Sequence, residues 1–412
     1  MSAPTTFLDG RVALWSGDSR DVLRDFMGES FHSVVCDPPY ALVSIAKRYG
    51  KPGAAAAKHG TDGLYARASS GFMGKQWDTG ETAFAVSFWA EVLRVLKPGG
   101  HVVAFSGTRT YHRMVCAIED AGFEIRDQLA WVYGSGFPKS HNQKGNWEGW
   151  GTALKPAWEP IVLGRKPLVG TVAESVTAHG TGALNIDGCR IHADDAQGGA
   201  YTIKRFKPGA TLTRDGGTWK PQGDAPLYHD EAKPGRWPAN ILHDGSDEVI
   251  AAFPEAPGQQ GDLNTTGRNR PTKTCFGDMG PPVAHPARRD SGSAARFFYS
   301  AKADANDRIG SKHPTVKPVD LMQWLCRLVT PPGGTVLDPF AGTGTTGEAA
   351  WREGFSAVLI ERESEYQADI RRRMALCMAG PEEKKREIIK AKQVGKDEEP
   401  LPLFGGPQEA AE

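Results

Sequence analysis

No two of the six cysteines stand in a CxxC pair: Cys36, Cys116, Cys189, Cys275, Cys326 and Cys377 are scattered over 412 residues. That scatter offers neither the ligand spacing of a zinc site nor a disulfide framework, so free thiols in a reducing compartment and no bound metal are expected. An excess of either charge is missing too, since Lys plus Arg and Asp plus Glu both number 49. Any nucleic-acid surface is therefore a local patch and not a property of the whole chain. No apolar run approaches the roughly 18 residues of a membrane span, and "MSAPTTFLDGRVALWSGD" lacks the basic start and apolar core of a leader. These absences point to a cytoplasmic protein with no membrane partner. What remains, 39% hydrophobic and 24% charged residues, suffices for a large globular core.

Strand and helix signals alternate over the first 165 residues. "RVALWSGD", "HSVVCD", "HVVAFSG", "FEIRDQLAWVYG" and "EPIVLGR" read as strands. "SRDVLRDF", "ETAFAVSFWAEVLRVL" and "TRTYHRMVCAIEDAG" read as helices, the second stopped by "KPGG". After residue 295 the rhythm resumes with helical "HPTVKPVDLMQWLCRLV", whose Val319, Met322, Leu325 and Leu328 share one face. Strand "GTVLDPF", helix "TTGEAAWREG", strand "SAVLIE" and helix "SEYQADIRRRMALCM" follow. The alternation predicts an α/β fold with a doubly wound, mostly parallel sheet of seven strands.

Two stretches break the rhythm. Residues 41–80 carry Gly, Lys, Arg and aromatics without a period, directly after a strand tip, where a loop of that length is expected to be either functional, as a lid would be, or disordered. Residues 168–295 are rich in Gly and Pro and enclose "YTIKRFKPGATLTRDGGTWK", with five basic residues against one acidic, interleaved with Tyr201, Phe206 and Trp219. Lys204, Arg205 and Lys207 in that run suit phosphates, and the aromatics suit bases. Composition fits a solvated, loop-rich insertion equally well. Beyond Gly380 the chain is charged and Pro-rich and reads as a disordered tail.

"VLDPFAGTGTTGEAA" places Gly342, Gly344 and Gly347 in GxGxxG spacing between a strand and a helix, and Glu361 ends the next strand 19 residues beyond Gly342. That is the arrangement in which backbone N–H groups meet an anion and a carboxylate meets ribose hydroxyls, so a nucleoside cofactor is implied. Such a loop alone would suggest a dinucleotide oxidoreductase. Its position decides otherwise: one helix and a tail follow Glu361, so the remaining strands must come from the N-terminal half, and the two halves are permuted. If "TVLDPF" and "HSVVCD" are neighbours at the point where winding reverses, the glycine loop shares a cleft with "DPPY".

In "DPPY" the Asp37 carboxylate and the Pro38 carbonyl are fixed acceptors, Pro38 and Pro39 have no N–H to compete with them, and Tyr40 adds a flat face. Two acceptors and a ring suit an exocyclic NH₂ on a planar base. Hydrogen bonds that draw that amine toward a tetrahedral shape favour the positive charge it develops on attack.

With "DPPY", "LKPGG", "HPTVKP", "LDPFAGTGTT" and "IERE…Y" present in this order, the chain resembles the β-class amino DNA methyltransferases over about 10–165 and 296–378. The resemblance implies S-adenosylmethionine as cofactor and Asp37, Pro38, Pro39 and Tyr40 as the catalytic motif. It places Asp338, Phe340, Gly342 and Gly344 in the cofactor loop, Glu361 on the ribose, Asp18 near the adenine, and His313, Thr315 and Lys317 at the methionine end. It also implies the division 1–167 catalytic half, 168–295 target-recognition insertion, 296–380 cofactor half and 381–412 tail.

The implied reaction is methylation of adenine N6 in double-stranded DNA, on a base flipped from its stack. Cytosine N4 is the alternative; in the family a Ser in place of Asp37 is the more usual cytosine signal. An alternative of another class is a catalytically silent DNA-binding protein that keeps the fold. A homodimer and a place in restriction-modification are compatible with the resemblance, but the sequence decides neither the oligomeric state nor whether a restriction partner exists. Finally, Leu401, Leu403 and Phe404 in "KDEEPLPLFGGPQ" resemble the Leu-x-Leu-Phe core of sliding-clamp peptides, with Pro400 where a Gln usually precedes it.

Overall fold

The computed structural model describes residues 3–40, 82–136, 140–197, 233–257, 291–301, 305–311, 313, 315–380 and parts of 382–390. For 194–197 and for short strands within 201–230 and 273–278 it describes the backbone alone. Several readings fall outside these residues: the lid at 41–80, Arg205, Lys207, and the tail cluster Leu401, Leu403 and Phe404. Lys204 closes the strand Tyr201–Lys204, and its side chain is likewise outside the description.

The chain forms two compact units, one of residues 1–188, 240–246 and 300–412, the other of 189–239 and 247–299. In the second, short antiparallel hairpins pair Ile191–Gln197 with Lys233–Arg236, Tyr201–Lys204 with Leu227–Asp230, and Leu212–Asp215 with Thr218–Pro221.

The first unit is built on a large sheet. Its strands in chain order are β1 (Thr5–Phe7), β2 (Val12–Ser16), β3 (Phe31–Cys36), β4 (Leu96–Phe105), β5 (Glu124–Val132), β6 (Trp158–Arg165), β7 (Ile241–His243), β8 (Thr335–Asp338) and β9 (Ser356–Glu361). Across the sheet they lie in the order β1-β2-β9-β8-β3-β4-β6-β5-β7, with the two-residue strand Tyr299–Ser300 last. All seven strands expected from the sequence are present. Short strands of two or three residues extend the sheet to ten, and segments so brief carry no period to detect. β2, β9, β8, β3 and β4 run parallel, while β6 runs antiparallel to both β4 and β5.

β8 and β3 are direct neighbours, with Val336 opposite Ser33 and Leu337 opposite Val34. From β8 the chain winds through one helix to β9 on one side, whereas β3 leads through another to β4 on the other side. Winding therefore reverses between these two strands, and their carboxyl ends, Asp338 and the Asp37 that follows Cys36, open onto one crevice. Val34, Val35 and Cys36 are wholly buried, as a strand covered on both faces requires.

Helices α1 (Val86–Val95), α2 (Tyr111–Asp120), α3 (Val172–His179), α4 (Val319–Val329), α5 (Thr345–Arg352) and α6 (Ser364–Cys377) complete the unit. In α4 the expected face of Val319, Met322, Leu325 and Leu328 is buried, and so are Leu321, Trp324, Cys326 and Val329. "KPGG" ends α1, and the same residues already belong to β4. Gly99 makes that tight passage at φ +75, where a Cβ would stand 2.9 Å from the Gly182 Cα. No helix among the described residues is long and apolar enough to cross a membrane.

Candidate active site

A cavity of about 1480 Å³ opens at the carboxyl ends of β8 and β3. Asp37, Pro38, Pro39, Tyr40, Asp18, Asp338, Phe340, Gly342, Glu361, His313, Thr315 and Lys317 all line it. Gly344 stands one turn further back, as the left-handed residue (φ +79) that opens α5. Motifs from three separate parts of the chain are thus brought to one wall.

The glycine loop is shaped by its own backbone. Gly342 has φ +51, and a Cβ there would lie 3.3 Å from His313 Nε2. At Gly347 a Cβ would meet Leu359 Cδ1 at 2.7 Å, so the third glycine lets α5 pack closely on β9. Behind the loop, buried Arg373 of α6 donates to the Thr343 carbonyl at 2.7 Å and to Glu348 Oε2 at 2.8 Å, tying α5, α6 and the loop together.

Two carboxylates flank this loop. The N–H of Gly342 donates to Glu361 Oε2 and the N–H of Glu363 to Glu361 Oε1, both at 2.8 Å. Each oxygen keeps a further lone pair for a hydroxyl, so the residues present fit a ribose. Asp338 accepts from the Phe340 N–H at 3.0 Å, which fixes the turn that brings Phe340 to the cavity, its ring 5.2 Å from that of Phe88. Burial pushes the Asp338 carboxyl up to about 7, against the hydrogen bonds from Thr346 and Phe340 that favour its anion. Burial likewise pushes Glu361 up to about 7, against the N–H groups of Glu363 and Gly342. Asp18 is engaged differently, as the cap of the short helix Ser19–Val22, accepting from the Arg20 N–H and its guanidinium. The hydrogen bond from the Arg20 side chain holds Asp18 below its ordinary value.

These shifts predict a pH dependence for cofactor binding. The ionised Glu361 is the better acceptor for two hydroxyls, and it becomes the major form only as pH rises through about 7. Affinity should therefore rise about tenfold between about pH 6 and about pH 8, as for one group titrating midway. In the free protein the sign is reversed: the folded state holds a proton that the unfolded chain releases, so this stability is lost as pH climbs from 4.5 through about 7. Calorimetric titration of cofactor at both pH values checks the first point, with Glu361→Gln expected to flatten the dependence. Gly342→Val, strained at φ +51, should weaken binding at every pH.

At the tip of β3 the geometry centres on one ammonium. Lys317 Nζ lies 2.9 Å from Asp37 Oδ2 and 3.0 Å from Glu159 Oε2, and it donates to the Tyr40 hydroxyl at 2.9 Å. The Tyr40 hydroxyl in turn donates to Glu159 Oε2 at 3.0 Å. Burial works against the charge on Lys317, but Asp37 and Glu159 outweigh it and raise the lysine above its ordinary value. The rings of Tyr40 and Phe105 flank the ammonium at 5.3 and 4.8 Å. Thr110 Oγ1 anchors the Tyr40 carbonyl at 2.7 Å, and the absent side chain of Gly107 leaves room for the ring. Asp37 Oδ1 is buried and has no hydrogen-bond partner among the described residues.

The segment "HPTVKP" spans both motifs. His313 packs on the glycine loop and on Tyr366, with ring centroids 4.5 Å apart, and burial lowers its pKa. The Thr315 N–H donates to His313 Nδ1 at 3.3 Å. Lys317, two residues on, reaches Asp37 and Tyr40. Glu159 did not emerge from the sequence. The available signal was topological: β6 is antiparallel to β4, with Ile161 opposite Phe105, so the start of β6 lies at the edge where the parallel strands end.

Fold and site together define a permuted, doubly wound α/β protein whose glycine loop and acceptor-bearing strand tip share one crevice. The family model described as DNA methylase, of the N6/N4 methyltransferase type, matches residues 31–372, and the chain belongs to that family. The type II methyltransferase M.HindIII of Haemophilus influenzae is 27% identical over 201 residues, 42% of this chain and 64% of that protein. The type II methyltransferase M2.DpnII of Streptococcus pneumoniae is 40% identical over 68 residues, 16% of this chain and 25% of that protein. The matches thus span less than two thirds of either relative. Among solved structures, the PvuII DNA methyltransferase (cytosine-N4-specific) aligns over 94% of both chains at 15% identity and TM-score 0.44. The complex of M1.HpyAVI with SAM aligns over 88% of this chain and 98% of that one, at 15% identity and TM-score 0.40. Neither likeness carries an argument about the activity of this chain.

Proposed function

We propose that this chain transfers a methyl group from S-adenosylmethionine to N6 of an adenine flipped out of duplex DNA. The observation that carries the reading is Asp37 Oδ1, buried and without a hydrogen-bond partner among the described residues. A buried anionic oxygen without a donor is unfavourable, and an exocyclic NH₂ supplies that donor. With Oδ2 held by Lys317, Oδ1 and the Pro38 carbonyl remain for the two amine hydrogens, and the Tyr40 ring offers a face to the base. The cavity exceeds the roughly 300–1,000 Å³ of a single small-molecule site, so it has room for a nucleoside and a base together.

S-adenosylmethionine supplies an electrophilic methyl group. Glu361 and the glycine loop hold its ribose and orient it, and the Phe340 ring gives a cationic sulfur an aromatic neighbour. Asp37 draws the amine toward a tetrahedral shape and accepts its proton late. The two carboxylates around Lys317 leave the strand tip with a net negative charge, which favours positive charge developing on the amine.

The test is incubation of unmethylated genomic DNA with enzyme and cofactor, followed by sequencing that reports modified bases. N6-methyladenine at one recurring sequence is expected. N4-methylcytosine would overturn the choice of base, and cofactor binding without any modification would mean a silent DNA-binding protein.

Recognition is assigned to the insertion, where Lys204, Arg205 and Lys207 meet phosphates. Exchanging the three for Ala should weaken DNA binding and reduce the slope of log affinity against log salt by about 2 to 3. Salt titrations of the triple variant and the wild type check this; an unaltered slope would leave the stretch as a solvated insertion.

A further inference from the structure

The connection from β5 to β6 carries two exposed indoles. Trp147 is 59% and Trp150 63% exposed, and their rings meet edge to face at 5.2 Å. They stand on a closed knuckle, not on a loose end. The Gln143 N–H donates to the Trp150 carbonyl at 2.8 Å, the Thr152 N–H to Ser140 Oγ at 2.9 Å, and the His141 N–H to Thr152 Oγ1 at 2.9 Å. Gly145 and Gly149 turn the chain on either side of Trp147 at φ +65 and +86. From Thr152 onward the same connection becomes a wall of the cavity: residues 152–159 line it, and Leu154 there is 92% exposed. Between 140 and 157 the charges are Lys144 and Lys155 against Glu148.

We propose that the Trp147–Trp150 pair is a DNA contact that enters the base stack beside the target and fills the place the flipped base leaves. This rests on the function proposed above. A base that reaches Asp37 leaves its neighbours unstacked on one face, and a planar indole restores that stacking whatever the flanking sequence. The knuckle runs on without a break into residues 152–159, which line the cavity. Its excess of lysine suits the phosphates on either side of the gap. Two large exposed apolar side chains packed on each other, on a hydrogen-bonded knuckle whose chain leads into the cavity wall, mark a surface for a partner and not a core.

The test uses full-length protein and duplexes carrying the site found by sequencing, with the target either correctly paired or mismatched, so that flipping is easier. Trp147→Ala/Trp150→Ala should lose about tenfold to a hundredfold in kcat/KM on the paired duplex and less than about threefold on the mismatched one. Cofactor affinity should be unchanged, and Trp147→Phe/Trp150→Phe should recover most of the paired-duplex activity. Equal losses on both duplexes, or none on either, would overturn the proposal. So would a wild-type dimer that the alanine variant converts to monomers, because a second copy would then cover the pair. Wild-type turnover reports on the proposed function itself: its absence overturns both, whereas normal wild-type turnover with equal losses in the variant overturns this inference alone.

Discussion

Asp37→Ala is expected to lower the rate of methyl transfer by about 10³-fold while the cofactor binds as before. An exocyclic amine on an aromatic base is a weak nucleophile because its lone pair is delocalised into the ring. Catalysis therefore depends on acceptors that favour the form in which the lone pair is localised and the nitrogen becomes positive. Asp37 supplies the charged acceptor, with Oδ1 buried and, among the described residues, unpartnered, and Oδ2 held 2.9 Å from Lys317. Alanine removes that acceptor and leaves the Lys317 ammonium, now balanced by Glu159 alone, beside a nitrogen that must gain positive charge. Binding should be spared, since Glu361 and the glycine loop, to which the proposed function assigns the ribose, belong to β9 and to the β8–α5 turn. Asp37→Asn keeps the shape but can turn an NH₂ toward the amine, so it should be nearly as inactive. Single-turnover assays with labelled cofactor, beside calorimetric titration, separate the two effects. A variant that keeps more than a few per cent of turnover would remove Asp37 from the amine.

The adjacency of β8 and β3 was legible as a condition, because a glycine loop and a "DPPY" tip that share one cleft must end neighbouring strands where winding reverses. Hydrophobic period and strand-end chemistry are local, and they carried β3, β8, β9, the glycine loop and "DPPY". What the sequence hid is set by contacts between distant segments. Ile241–His243 joins the sheet from within a Gly- and Pro-rich stretch, and three residues offer no alternation to read. Arg373 looks like one of three successive surface arginines at 371–373, yet it is 1% exposed and bound to Thr343 and Glu348. Glu159 resembles any polar residue at a strand start until the antiparallel pairing of β6 brings it to the cleft. Lys317 was legible as part of "HPTVKP", but not as the ammonium that joins Asp37, Tyr40 and Glu159, because that placement depends on three elements meeting.

Removing that ammonium should have the second large effect. Lys317→Met preserves much of the side-chain length and the contacts with the Tyr40 and Phe105 rings, but it leaves Asp37 and Glu159 facing each other in a buried site. Breaking a buried ion pair from one side typically costs about 3–5 kcal/mol of stability. Turnover should also fall by about 10²-fold, because Asp37 loses the partner that fixes Oδ2 and so the direction of Oδ1. A merely structural role would lose stability and activity together and would not respond to a second change. Adding Glu159→Gln removes one of the two unpaired anions and keeps an acceptor for the Tyr40 hydroxyl. The double variant should therefore regain about half of the lost stability and part of the lost turnover, a coupling of about 1–3 kcal/mol, as expected for neighbours in one charged network. Urea unfolding and single-turnover rates for the wild type, both single variants and the double variant complete the cycle. Strict additivity in both measurements would mean that Lys317 and Glu159 act independently, and the strand tip would then be organised by Asp37 and Tyr40 alone.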